Sequence, residues 1–123
     1  MTARIIVFGC GVMGRRVAEA LLEKRSLELI AAVDVDREII GRDLGELLEV
    51  TRSVGVRVQC AADAPLSQAD CVVLATGSRL AAIEDQINLC IDAGANVVST
   101  CEELAYPWHR NAEPAARINH RAR

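Results

Sequence analysis

The chain has 123 residues, a formal net charge of -3 and a hydrophobic fraction of 51%. That length suits one domain with a single core, and the composition excludes disorder as a global description. No apolar run approaches the ~18 residues that a membrane-spanning helix needs, and the acidic balance gives no general reason to bind nucleic acid. We therefore expect a cytoplasmic protein with neither a membrane nor a nucleic-acid partner.

The cysteines predict reduced thiols. Their number is odd, no two form a C-x-x-C pair, and most lie inside apolar stretches, at Cys10, Cys60, Cys71, Cys90 and Cys101. A disulfide framework or a zinc site would need paired spacing. We expect free core thiols and no bound metal.

The first half of the chain alternates strand-like runs with helical periodicity. Residues 4–8 are apolar and β-branched and run into a glycine loop, after which apolar positions recur at helical spacing for about three turns. A second apolar run, 29–33, ends at Asp34. Residues 37–54 predict a loop followed by a short helix, because two glycines interrupt the apolar spacing, and residues 56–59 predict an edge strand.

The second half adds two more apolar runs, at 71–75 and 96–99. Between them Ser78 is a candidate N-cap for a crossover helix that Gly94 terminates. Continuous apolarity indicates strands covered on both faces. The sequence therefore predicts an α/β fold, a Rossmann-type doubly wound open parallel sheet of about five strands.

The glycine loop carries the strongest functional signal. In G-x-G-x-x-G, Gly9 permits the turn out of the strand, Gly11 lets the main chain approach a pyrophosphate, and Gly14 allows close helix packing. Asp34 lies 20 residues after the third glycine, where its carboxylate accepts hydrogen bonds from an adenosine ribose. Asp34 disfavours the 2′-phosphate of NADP, whereas Arg37 could pair with it. We expect NAD or NADP as cofactor, with NAD favoured.

The loops after the fourth and fifth strands should line the nicotinamide half of the same cleft. Glu102 and Glu103 are candidate catalytic residues, because adjacent carboxylates bind a substrate ammonium or act as a base, but capping a following helix explains them equally well. Cys101 is better explained as a cleft-lining thiol than as a nucleophile. The full predicted cofactor-binding set is Gly9, Gly11, Val12, Met13, Gly14, Asp34, Arg37, Thr76, Gly77, Ser99 and Thr100.

Three stretches carry a family resemblance: the glycine loop at 9–14, the segment 41–47, and above all 96–108, which includes Glu-Glu-Leu-Ala-Tyr-Pro. Together they resemble the N-terminal domain of the dihydrodipicolinate reductase-like enzymes, and among these the 2,4-diaminopentanoate dehydrogenases. The resemblance implies an NAD(P)-dependent oxidative deamination of a small amino acid, most closely 2,4-diaminopentanoate to 2-amino-4-oxopentanoate. Where dihydrodipicolinate reductases proper usually have Gly-Thr-Thr-Gly, this chain has Ser-Thr-Cys-Glu at 99–102, which counts against that activity.

The resemblance also implies a second, substrate-binding domain, through which such enzymes could form homo-oligomers. We expect residues 1–123 to be the dinucleotide-binding domain alone and to be inactive by itself. Two alternatives stay open. One is a stand-alone NAD-sensing module without catalysis, and the other is the N-terminal domain of a dihydrodipicolinate reductase or of another amino-acid or homoserine dehydrogenase.

Overall fold

The computed structural model describes residues 2–48 and 52–123, which fold around one parallel sheet. The strands are β1 (Ala3–Phe8), β2 (Leu27–Val33), β3 (Val58–Gln59), β4 (Cys71–Leu74) and β5 (Asn96–Ser99). The α-helices are α1 (Val12–Leu22), α2 (Leu80–Asp92) and α3 (Ala112–Ala122), and single 3-10 turns lie at Leu44–Glu46, Leu66–Gln68 and Glu102–Leu104. The predicted Rossmann-type α/β architecture with five strands is confirmed.

Strand order places a crevice beside β1. The order is β3-β2-β1-β4-β5 with every neighbouring pair parallel, so the chain moves outward from β1 in one direction and then returns to its other side. The direction of winding therefore reverses between β1 and β4. In open parallel sheets this reversal point, at the carboxyl ends of the strands, is where ligands bind.

Two apolar cores lie on opposite faces of the sheet. On one face Ile6 and Phe8 of β1 pack with buried residues of α2, including Ile83. On the other face Ile5 and Val7 pack with residues of α1 such as Leu21. Burial of each large apolar side chain contributes about 1.5–3 kcal/mol. The prediction that the strands are covered on both faces is confirmed for the centre of the sheet.

The edge strand predicted at 56–59 is shorter than expected. Only Val58–Gln59 pairs with β2, because the segment that precedes it bonds to residues further back in the chain. Gly41 donates its N–H to the carbonyl of Val58 at 2.7 Å, and Val58 donates to the carbonyl of Arg42 at 3.0 Å. The short helix predicted within 37–54 is the turn Leu44–Glu46, and residues 49–51 of that stretch lie outside the described residues.

Several other expectations concern the whole chain. All five cysteines are free; Cys10, Cys90 and Cys101 are buried, as expected of core thiols, whereas Cys60 and Cys71 are partly exposed. Gly94 has a φ of +84° directly after the last residues of α2, which confirms the predicted helix end. None of the described helices combines the length and apolarity needed to cross a lipid bilayer. Within 2–48 and 52–123 no group of His, Cys, Asp and Glu side chains is arranged to hold a metal ion.

Candidate functional site

The three glycines of the loop after β1 differ in what surrounds them. Gly9 has a φ of +110°, and a Cβ there would lie 2.5 Å from the carbonyl oxygen of Ala75. A Cβ at Gly14 would overlap the carbonyl oxygen of Gly9, whereas a Cβ at Gly11 would meet nothing within 4 Å. Gly9 and Gly14 are therefore required by packing inside the protein. Gly11 borders open space, which is the space that a pyrophosphate would use.

The first turn of α1 presents backbone donors to that space. Gly11 is the N-cap residue without a side-chain cap, and the first helical hydrogen bond runs from the N–H of Arg15 to its carbonyl at 3.0 Å. The N–H groups of Val12, Met13 and Gly14 precede that bond, so they have no acceptor within the helix. The positive end of the helix dipole favours an anion here. The side chains of Val12 and Met13 are 76% and 53% exposed.

Asp34 is fixed to the glycine loop by hydrogen bonds that the sequence did not reveal. Its Oδ2 accepts from the N–H of Cys10 at 2.7 Å, and its Oδ1 accepts from Val35 and Asp36 at 2.7 and 3.0 Å. Oδ2 keeps a further lone pair for a ribose hydroxyl, whereas the two N–H groups use both acceptor sites of Oδ1. Burial, reinforced by the charge of Asp34, raises the pKa of the Cys10 thiol to about 11. Cys10 is therefore a neutral packing residue.

Arg15 contacts the glycine loop, whereas Arg37 lies on the turn that follows Asp34. Arg15 donates from Nε to the carbonyl of Cys10 at 2.9 Å and so braces the loop from the helix side. Sequence reasoning missed it, because nothing in the motif distinguishes it from a solvated helix residue. Arg37 is exposed on the turn after Asp34. The role predicted for Arg37 in cofactor binding stays a prediction.

The loop after β4 meets the glycine loop across the crevice. The Thr76 methyl carbon lies 2.9 Å from the position of a Cβ on Gly9, and its hydroxyl hydrogen-bonds the side chain of Gln86 in α2. Gly77 follows, partly buried beside Ile83. Gln86 is another residue that the sequence reasoning missed. Its bond to Thr76 directs the Thr76 methyl group toward the glycine loop.

Ser99 and Thr100, at the end of β5, mainly form hydrogen bonds with backbone groups. The Ser99 hydroxyl donates to the carbonyl of Leu74 at 3.0 Å and accepts from the N–H of Cys101 at 3.0 Å. The N–H of Thr100 donates to the same Leu74 carbonyl at 3.1 Å, while its side chain is exposed. Both residues thus lie at the carboxyl edge, as predicted, and Thr100 offers the freer side chain.

Glu102 and Glu103 take different roles. Glu103 Oε2 accepts from the N–H of Leu80 at 2.9 Å and from Nδ2 of Asn111 at 3.1 Å. Glu102 is exposed, and a hydrogen bond from the Ser78 hydroxyl lowers its pKa. The bonds of Glu103 to Leu80 and of Glu102 to Ser78 join the loop after β5 to the loop after β4.

The prediction that Ser78 caps α2 is wrong. The N-cap residue is Arg79, whose side chain makes no capping bond, and the carboxylate of Glu103 takes that position from a distant segment. Neither glutamate caps the helix that follows it in the chain. A single sequence carries no signal for this contact, because 23 residues separate its partners.

Comparisons with known proteins agree with this geometry. The model of the family described as "Dihydrodipicolinate reductase, N-terminus" matches residues 3–101. The 2,4-diaminopentanoate dehydrogenase of Acetoanaerobium sticklandii is 29% identical over 123 residues, which cover 98% of this chain and 35% of that protein. The chain thus spans about a third of that relative's length.

Solved structures show the same relationship. The amine dehydrogenase of Mycobacterium smegmatis is 33% identical with a TM-score of 0.91, and the match covers 99% of this chain and 36% of that one. GenD2 from gentamicin A biosynthesis, solved with NAD, is 27% identical with a TM-score of 0.68, over 98% of this chain and 31% of its own. A 3-ketoreductase from Actinomadura kijaniata, solved with NADP, shares the fold at 20% identity, with a TM-score of 0.70 over 99% of this chain and 35% of its own. The amine dehydrogenase and the 3-ketoreductase are oxidoreductases.

Proposed function

Because this chain belongs to the dihydrodipicolinate reductase N-terminal family, we propose that it is the dinucleotide-binding domain of an NAD(P)-dependent amino-acid dehydrogenase. One observation carries the proposal. Gly11 borders open space at the start of α1, while the Asp34 carboxylate is tied to the same loop at 2.7 Å. This arrangement offers backbone donors to a diphosphate and an acceptor to a ribose within one crevice.

The proposed reaction is the oxidative deamination of a small amino acid, with 2,4-diaminopentanoate as the best candidate. The similarity to the diaminopentanoate dehydrogenase and to the amine dehydrogenase supports this choice. A nicotinamide dinucleotide held at Gly11 and Asp34 would supply the acceptor for the hydride on the carbon that carries the amine. Water then adds to that carbon and ammonia leaves, so that each turnover yields a ketone, an ammonium ion, a reduced cofactor and a proton.

Within this domain we assign the acid–base role to Glu102. The Glu103 carboxylate accepts hydrogen bonds from Leu80 and Asn111, whereas Glu102 is exposed after the carboxyl end of β5. The hydrogen bond from the Ser78 hydroxyl stabilises the charged form of Glu102 and so lowers its pKa. An anion there attracts the substrate ammonium and accepts the proton that the amine must lose before hydride departs.

The cofactor preference should depend on Asp34. Its negative charge opposes a 2′-phosphate, and Arg37, exposed on the turn after Asp34, could offset that repulsion. We propose NAD as the preferred cofactor. Replacing Asp34 by Asn should lower the selectivity for NADH over NADPH by about tenfold, while Asp85→Asn, on the exposed side of α2, should leave it unchanged. An unaltered selectivity in Asp34→Asn would contradict the assignment.

Calorimetry with NADH tests the binding site itself. Gly11→Val should keep the thermal unfolding midpoint, because space surrounds that position, but it should lose NADH affinity. Ala116→Val, on the exposed face of α3, adds the same side chain away from the loop and should do neither. Undiminished affinity in folded Gly11→Val would refute the proposed site.

We further propose that residues 1–123 act as one domain of a two-domain enzyme. Hydride transfer needs substrate held at close distance and shielded from water, and this domain supplies one wall of such a cleft. The chain alone should therefore bind NADH but form none from 2,4-diaminopentanoate and NAD. Turnover by the pure chain that disappears in Glu102→Gln would contradict the second domain's role and support the catalytic assignment.

A further inference from the structure

The backbone of Cys10 is held on both sides by charged side chains. Its N–H donates to Oδ2 of Asp34 at 2.7 Å, and its carbonyl accepts from Nε of Arg15 at 2.9 Å. Cys10 itself is buried, so the residue is fixed within the glycine loop. The carbonyl has the larger consequence for a ligand, because it shares one rigid peptide plane with the N–H of Gly11.

The Gly11 N–H points away from Arg15. No peptide bond among the described residues is cis, so the carbonyl of Cys10 and the N–H of Gly11 extend in opposite directions. Gly11 is exposed, and none of the described residues accepts from its N–H. A Cβ at this position would meet nothing within 4 Å. The bond from Arg15 on one side of the plane therefore directs a free donor into open space on the other side.

Arg15 lies at a position where a helix disfavours a cation. It is the fourth residue of α1, Arg16 follows it, and the first turn contains no acidic residue. The positive end of the helix dipole repels a guanidinium group at this end of the helix. Helix stability therefore does not explain an arginine at position 15. A residue that breaks a local rule in this way is typical of a functional site, and a bound anion would offset the repulsion.

We propose that Arg15 is a positioning residue for the diphosphate of the cofactor. By holding the Cys10 carbonyl, it keeps the Cys10–Gly11 peptide in the orientation in which the Gly11 N–H donates to a diphosphate oxygen. The inference rests on the dinucleotide site proposed above. Arg15 should therefore affect ligands that carry a diphosphate and leave adenosine unaffected, because adenosine offers its ribose to Asp34 and has no phosphate.

Calorimetry with NADH compares two neighbouring arginines. Arg15→Met keeps the aliphatic part of the side chain and removes the donor, and it should lower NADH affinity by about tenfold. Arg16→Met removes the same charge from the same turn of α1, where the side chain is exposed, and should lower the affinity by no more than about twofold. Equal losses in the two variants would overturn the proposal, since they would show that only charge matters.

Arg15→Lys separates the position of the donor from the charge. Lysine has a methylene group where arginine has Nε, so this variant keeps the cation but displaces the donor from the Cys10 carbonyl. We expect it to lose nearly as much NADH affinity as Arg15→Met. Full NADH affinity in Arg15→Lys would overturn the proposal. Adenosine affinity, measured by NMR titration, should be the same in all three variants and the unmodified chain, and a parallel loss in Arg15→Met would indicate general damage to the loop and contradict the role.

The Gly11 amide gives a readout that a merely structural role would not change. When ADP binds the unmodified chain, the Gly11 amide proton should shift downfield, because a hydrogen bond to phosphate deshields it. In Arg15→Met this shift should be lost, whereas the amide protons of Val12 and Met13 should still respond. An undiminished Gly11 shift in Arg15→Met would contradict the proposal.

The unmodified chain distinguishes this inference from the proposed function. If it binds NADH and the two methionine variants lose affinity equally, the role of Arg15 is wrong and the dinucleotide site stands. If the unmodified chain binds neither NADH nor ADP, the site and the role of Arg15 are both refuted.

Discussion

Glu103 and Leu80 are joined by a hydrogen bond of 2.9 Å from the Leu80 N–H to the Glu103 carboxylate, so a residue after β5 caps the helix that precedes β5. The contact couples the loop after β4 to the loop after β5. The two adjacent glutamates therefore have different roles. Glu103 holds the scaffold, and Glu102 is left at the surface beside Ser78.

Removing this remote cap should weaken the fold. We expect Glu103→Ala to lower the free energy of unfolding by about 1 kcal/mol, the usual cost of losing an N-terminal helix cap. Chemical denaturation measures the change. Glu38→Ala, at an exposed turn, is the matched control and should have little effect. Equal stabilities of the two variants would mean that the Glu103 carboxylate does not cap α2.

Ser78→Ala should change the pKa of Glu102 and leave the free energy of unfolding nearly unchanged. The Ser78 hydroxyl favours the ionised form of Glu102, so its removal should raise the Glu102 pKa toward the ordinary value of 4.5. Carbon-detected NMR of the side-chain carboxyl across pH 3–6 follows this shift. A large loss of stability in Ser78→Ala would instead support the local helix cap that the sequence suggested.

Gly14→Ala should disrupt packing. The added methyl group would overlap the carbonyl oxygen of Gly9, so the glycine loop or α1 must move, at a cost of about 1–3 kcal/mol. Gly11→Ala is the comparison, since a Cβ there meets nothing within 4 Å. Thermal unfolding of both variants separates the roles. A stability of Gly14→Ala equal to that of Gly11→Ala would contradict the close packing of α1 on the loop.

Asp43 should make stability depend on acid pH. Hydrogen bonds from the N–H of Val54, the hydroxyl of Ser53 and the N–H groups of Gly45 and Gly55 lower its pKa from 3.8 to about 2. Because the folded pKa is the lower one, this contribution is present above the unfolded pKa and is lost as pH falls through about 2.

Asp43→Asn should therefore flatten the decline in stability between pH 4 and pH 2 relative to the unmodified chain. Urea unfolding at several pH values measures the slope. Asp85→Asn, on the exposed surface of α2, should keep the original slope. An identical decline with and without the Asp43 carboxylate would show that its hydrogen bonds do not contribute at acid pH.

Local pattern was enough for most of the architecture. The apolar runs, their spacing and the glycine loop predicted five parallel strands, the helices α1 and α2 and the helix end at Gly94, because strands and helices impose different periodicities on buried side chains. The pairing of the glycine motif with Asp34 likewise followed from spacing within one strand-helix-strand unit. The ends of the edge strand were predicted less accurately. Of residues 56–59 only Val58–Gln59 pairs with β2, because the preceding residues bond to the segment 41–44.

Contacts between distant segments were decided by the tertiary structure. Nothing local indicates that Glu103 caps α2, that Asp34 accepts from Cys10, or that Gln86 directs the side chain of Thr76. Each contact depends on which strands become neighbours, and strand order is a property of the whole chain. The sequence by itself therefore determined the kind of fold and the glycine loop with Asp34. Only the folded chain distinguished Glu102 from Glu103, because their environments are made by loops that meet only when β4 and β5 pair.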